Sequence, residues 1–182
     1  MPFEYFNRLS AARKRIYLRS DAIGRLALPA GPPLEATLKQ IQEQLSAERR
    51  TTLEQASQRL IDELIRRFNV PPIKVRVRSV RPSGSWGELH GLYEPGEEEA
   101  PAVINMWMRT VARKQVVAYK TYVRTLIHEF CHHLDYELIK LPETFHTEGF
   151  YKREASLFRE IHGVLLPLDK SSPGAKPASD RS

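Results

Sequence analysis

Cysteine occurs once in the 182 residues, at Cys131. That excludes an internal disulfide framework and fits a reducing cytoplasm. Long apolar runs are missing too, since no stretch approaches the roughly 18 consecutive apolar residues of a membrane-spanning helix. The opening MPFEYFNRLSAARKRIYLRS is basic, with neither the apolar centre nor the small-residue cleavage site of a secretory signal. There is no internal repeat and no low-complexity core. Acids are absent from two stretches. Arg66, Arg67, Lys74, Arg76, Arg78 and Arg81 lie between Glu63 and Glu88, and Arg109, Arg113, Lys114, Lys120 and Arg124 lie between Glu99 and Glu129. Such stretches suit DNA or another polyanion, and a solvated basic face explains them at least as simply.

What is present is a globular composition, 41% apolar and 27% charged with a net charge of +6, long enough for one domain with a real core. Residues 1–34 read as a basic leader, a short amphipathic helix or a strand, closed by the Pro/Gly cluster of LALPAGPP. From Leu34 to Phe68, apolar residues recur at three- and four-residue steps (Leu38, Ile41, Leu45, Leu53, Ala56, Leu60, Leu64, Ile65). The polar middle, Ser46 to Thr52, leaves open one long helix or two, and Asn69 with Pro71-Pro72 ends the pattern. IKVRVRSV alternates, with Ile73, Val75 and Val77 on one face and Lys74, Arg76 and Arg78 on the other, which predicts a strand with a basic outer face. ELHGLYE reads as a second strand, its His90 a surface or packing residue, and AVINMWM as a third. Residues 35–166 form the expected domain, and 167–182 a Ser/Pro/Lys-rich disordered tail.

The chemistry is concentrated in YKTYVRTLIHEFCHHLDYELI. Tyr122, Leu126, Ile127, Phe130, Leu134 and Leu138 make an apolar stripe, with no Gly or Pro from Lys120 to Leu141, so the stretch predicts a buried helix. It carries H-E-x-x-H. His128 and His132, at i and i+4, share a helix face and can offer imidazole nitrogens to one metal ion. Glu129 lies about 100° round the helix, placed to take a proton from a water that zinc has made acidic. Two histidines and a glutamate on a buried helix would be costly without a metal. Cys131 reads as a small core residue. His133 points to another face, as a neighbour of the ligands or a packing residue.

A hydrolytic zinc site usually has a third protein ligand and one open position. The extended motif H-E-x-x-H-x-x-G-x-x-H is excluded by Asp135 and Leu138. Two candidates remain in LPETFHTEGFYKREASLFREIHG, a loop leading into a helix. His146 would sit near that helix's start, and Glu154 two turns further on, 22 residues after His132. The residues themselves leave both open.

The order of long helix, three strands, H-E-x-x-H helix, and then His146 followed four residues later by Phe150 resembles the SprT-like (Spartan-type) zinc metallopeptidases. The resemblance covers roughly 35–165 and is densest at HEFCHH. Two departures stand out. Thr147 follows His146 where the family commonly has Gly, and the cysteines of the zinc ribbon carried by many members are absent. The resemblance implies His146 as the third ligand. It also implies an α+β fold of minimal zincin type, with a long helix on a small, mostly antiparallel three-stranded sheet, then the motif helix and a closing helix. Zn2+ would lie between these last two, with AVINMWM as an edge strand that binds an extended polypeptide by strand addition. Tyr122, Tyr136 and Tyr151 are candidates for stabilising the oxyanion. The leading expectation is a cytoplasmic zinc endopeptidase with Glu129 as general base. Nucleic-acid-associated and partner-binding zinc proteins are the alternatives.

Overall fold

A computed structural model of the chain describes residues 2–80, 91–97, 100–109 and 115–163. A short 3-10 turn, Glu4–Arg8, precedes α1 (Ala11–Asp21), which is capped by Ser10. Then come α2 (Glu35–Ser46), α3 (Arg50–Phe68), β1 (Ile73–Val80), β2 (Gly91–Glu94), β3 (Ala102–Arg109), α4 (Tyr119–Glu137) and α5 (Glu148–Ile161). The fold is α+β, as the sequence predicts. His90 and the tail lie outside the described residues.

The apolar pattern from Leu34 to Phe68 resolves into two helices. The break falls in its polar middle, where Glu48 adopts a positive φ of 56°. Asn69 ends α3 in the left-handed conformation (φ 50°), which Asn tolerates better than most residues. Leu53, Ala56, Leu60, Ile61 and Leu64 of α3 are buried, and this face packs on β1. In β1, Ile73, Val75 and Val77 are buried while Lys74, Arg76 and Arg78 are exposed, reproducing the alternation of the sequence.

The sheet order is β1-β3-β2. β1 and β3 run parallel with Val75 opposite Ile104, and β2 and β3 run antiparallel with Tyr93 opposite Ile104. Two expectations are corrected here. The sheet is mixed where a mostly antiparallel one was expected, and β3 is its centre where an edge was expected. The physical reason is burial. From Ile104 to Met108 every residue of β3 is buried, and such near-continuous apolar runs belong in the middle of a sheet. β2 is the edge strand on the side of α4. The motif helix crosses the domain with one face against the sheet and the other towards α5. Among the described residues no helix is long and apolar enough to cross a membrane.

Candidate metal centre

On α4, His128 and His132 project from one face into a cleft of about 840 Å³. His146 reaches the same point from the loop that precedes α5. Its Nε2 lies 3.0 Å from Nε2 of His128 and 3.1 Å from Nε2 of His132. Among the described residues, these three form the group able to hold a metal ion. Four ligands around zinc at about 2.05 Å lie roughly 3.3 Å apart, so the observed spacing is close to that of a tetrahedral site.

The backs of the rings decide the tautomers. Nδ1 of His128 lies 3.0 Å from Oε2 of Glu154. Burial pushes Glu154 up, but hydrogen bonds from His128 and Arg124 outweigh it and hold the carboxyl below its usual range. Ionised, it only accepts, so His128 must carry its proton on Nδ1. Nδ1 of His132 lies 2.8 Å from Thr144 Oγ1, whose hydroxyl donates to Asp135 Oδ2 at 2.8 Å. The threonine's proton is committed, so His132 also donates from Nδ1. Both rings therefore turn Nε2 lone pairs towards each other and towards His146. A single proton on Nε2 of His146 could serve only one of the two contacts. A cation between the rings satisfies all three, so the donor set fits zinc. Burial, and after it the neighbouring His128 and His146, push His132 down to about 2. Burial and His128 lower His146 as well. Neutral imidazoles are what a metal requires.

Glu154, the rival third ligand, thus lies behind His128 and supports its ring, with Arg124 Nε 2.6 Å from its other oxygen. Phe150 packs against the imidazoles, its ring 5.0 Å from that of His128 and 4.7 Å from that of His132. The loop ends where Thr147 caps α5 by accepting from the Phe150 amide at 2.9 Å, which fixes where His146 leaves the helix start.

Glu129 faces β2. The backbone of Tyr93 lies near enough to its carboxylate to favour the charged form, and a Cβ on Gly91 would come within 2.7 Å of its Cγ and Oε1. Only glycine lets the strand pass so close, and a lone glycine in a strand pattern was the available signal for that approach. Burial dominates the pKa of Glu129 and pushes it up to about 7, against the lowering pull of His128 and of the Tyr93 backbone. A carboxylate poised near neutrality can both take and return a proton.

The remaining expectations sort clearly. Cys131 is buried in the core cluster, and burial raises its thiol. His133 turns away from the centre and ties Tyr93 Oη (3.1 Å) to the Pro71 carbonyl (2.9 Å). Tyr122 is fully buried with its hydroxyl 3.0 Å from Ser57 Oγ, which removes it as an oxyanion stabiliser. Tyr136 and Tyr151 both line the cleft. The residues that sequence reasoning missed are Gly91, Tyr93, Thr144, Asp135 and Arg153. Comparison with protein-family models, with curated proteins and with solved structures finds no match.

Proposed function

We propose that the chain is a zinc-dependent endopeptidase, with His128, His132 and His146 as metal ligands and Glu129 as general base. The observation that carries this reading is the convergence of three Nε2 atoms, two with their tautomers fixed from behind, beside a buried carboxylate. A purely structural site would have no use for Glu129. The resemblance of HEFCHH and FHTEGF to the SprT-like peptidases supports the same assignment, and one buried free cysteine suits a reducing cytoplasm.

Zinc in this position supplies Lewis acidity, which makes water nucleophilic near neutral pH and polarises a carbonyl. Glu129 takes the proton of the attacking water and returns it to the departing amine. Among the described residues β2 has β3 on one side only, and its Gly91, Leu92 and Tyr93 line the cleft. An extended polypeptide adds to that free edge with its scissile carbonyl held over the three imidazoles. Tyr151, whose ring lies 5.8 Å from that of His146 at an interplanar angle of 17°, and Tyr136 remain the candidates for donating to the oxyanion.

Metal analysis tests this directly. The purified protein should hold about one zinc per chain, and His146→Ala should lose most of it. Glu129→Gln should keep the zinc while cleavage of an unfolded polypeptide, or self-cleavage of the termini, falls at least about a hundredfold. Undiminished cleavage by the zinc-loaded Glu129→Gln protein would refute the mechanism. Zinc lost from Glu154→Ala but kept by His146→Ala would move the third ligand to Glu154.

A further inference from the structure

The loop between α4 and α5 carries both Thr144, which orients His132, and His146 itself. Residues 3–23 hold that loop from outside. Arg13 grips Glu143 with two nitrogens, one at 2.8 Å. Arg19 donates to the Ile139 carbonyl at 2.7 Å, and the Tyr5 hydroxyl donates to the carbonyl of His146 at 2.9 Å. The fully buried ring of Tyr17 packs 6.0 Å from that of Phe145. At the start of α5, the Gly149 amide donates to Asp21 Oδ1 at 2.8 Å, and a Cβ on Gly149 would run into the Asp21 backbone.

A second connection is buried. Arg153, with no exposed surface, donates from one nitrogen to the carbonyls of Ser20 (2.6 Å) and Ile23. From the other it donates to Ser20 Oγ (3.0 Å) and to Asp135 Oδ1 (2.7 Å). The other oxygen of Asp135 accepts from Thr144, which accepts from His132. One guanidinium therefore joins the carbonyl end of α1, the negative end of a helix dipole, to the carboxylate that fixes a histidine's tautomer. Its cation also sits 5.5 Å from the centre of the Phe150 ring, which packs on both helix histidines.

We propose that Arg153 is a positioning residue that links the docking of residues 3–23 to the metal centre, so that this segment and zinc each tighten the binding of the other. The proposal rests on the zinc reading above. With the segment undocked, Arg153 loses its carbonyl partners inside the protein. A buried guanidinium so deprived is costly, and it turns its donors onto Asp135 in competition with Thr144. His132 then loses the partner that holds its ring, and the loop bearing His146 loses its outer clamp. Linkage makes the effect reciprocal, so zinc, by fixing the loop, should hold α1 in place.

The test measures zinc affinity by competition with a chromophoric chelator, and amide hydrogen exchange across residues 11–21 with and without zinc. The full chain is compared with Arg153→Lys and with the surface pair Tyr5→Phe and Arg13→Ala. Lysine keeps the charge but cannot fork between carbonyls and carboxylate. Arg153→Lys should weaken zinc about 10- to 100-fold, the range for partners of metal ligands, and the surface pair about threefold or more. In the wild type, zinc should slow exchange in α1, and in Arg153→Lys it should do so much less. A residue with only a structural role would lower the melting temperature and leave both readouts unchanged. Folded variants within twofold of wild-type affinity, with α1 exchange indifferent to zinc, would overturn the proposal. Should Arg153→Lys fail to fold, wild-type exchange decides alone, and no response of α1 to zinc overturns it. A wild type that binds no zinc removes the metallopeptidase reading and this coupling together, whereas zinc bound without coupling removes only the coupling.

Discussion

The two edges of the sheet are finished in opposite ways. Along β1, side chains of α3 occupy the outer backbone groups. Gln58 donates to the Ile73 carbonyl (2.9 Å) and accepts from the Val75 amide (2.7 Å), Glu54 accepts from the Val77 amide (2.7 Å), and Arg50 donates to the Val77 carbonyl (3.0 Å). A helix has taken the place of the next strand, which is one way to keep an edge from recruiting other chains. Along β2 the strand borders a cleft, and the group reaching it from α4 is the carboxylate of Glu129. The sealed edge contributes stability, and on the proposed reading the open edge contributes chemistry. The two can be broken separately.

The largest effect should come at the open edge. Gly91→Ala puts a methyl group 2.7 Å from the Glu129 carboxylate and 2.8 Å from Thr125 Cγ2. Either the strand or Glu129, the proposed general base, must shift, and displacement of about 1 Å at a catalytic group costs on the order of a hundredfold. Peptide cleavage should fall about that much while zinc content stays near one per chain. Wild-type activity in Gly91→Ala would mean that the approach of β2 to Glu129 is incidental.

Glu129 also gives the open edge a pH signature in zinc-stripped protein. Its folded pKa, about 7, lies above the ordinary glutamate value, so the folded state binds more protons than the unfolded one between roughly pH 4.5 and 7. Stability therefore falls as pH rises through that window, by up to roughly 3 kcal/mol. Glu129→Gln removes the titration, so its stripped form should be the more stable at pH 8 and show little advantage at pH 4.5. Urea unfolding at both pH values measures this. Equal differences at the two would show that Glu129 is not desolvated by the strand.

At the sealed edge, Gln58→Ala unpairs the Ile73 carbonyl and the Val75 amide together. The expected cost is about 1–2 kcal/mol of unfolding free energy, with zinc content and cleavage per folded molecule unchanged. Concentration-dependent aggregation should rise as well, since a strand edge is uncovered. Lost zinc in this variant would mean that the two edges are mechanically joined.

The sequence makes the motif helix, the β1 alternation and the end of α3 legible, because each is written in local periodicity or in capping residues. Sheet order is not local. AVINMWM declares by its apolar run, interrupted only by Asn105, that it is buried, but which strands flank it depends on chain paths beyond any window. The N-terminal segment is hidden for another reason. α1 buries only Tyr17 and Ser20 and is held by one ion pair and several hydrogen bonds, so no apolar stripe announces that it packs. Arg153 and Asp135 are invisible in the same way, because a buried ion pair looks like two surface charges until the fold joins them. The choice between His146 and Glu154 as neighbour of the other two histidines needed coordinates, since in sequence the i, i+8 spacing would put both on one helix face, whereas His146 lies in the loop before α5.

The smallest effect on fold and site should come from the outer face of β1. Arg66 and Arg67 are already paired with Glu63, and Arg109 with Glu48, so the basic stretches of the sequence are partly neutralised. Lys74, Arg76 and Arg78 stay exposed on one strand face. Replacing all three with alanine removes one hydrogen bond, from Arg78 Nε to Oδ1 of the buried Asn105 (3.2 Å), and stability should change by no more than about 1 kcal/mol. Peptide cleavage should also be unaltered, because the face lies across the sheet from the cleft strand β2. Nucleic acid is where such a variant could differ. Three phosphate contacts at successive exposed positions would steepen the dependence of log affinity on log salt by up to about three units, so the variant's titration against duplex DNA should be flatter by that amount. Wild-type binding that ignores salt, or does not occur, leaves the three charges as a solvated face. In that case the sealed edge has structure as its sole role, and the comparison with β2 is complete.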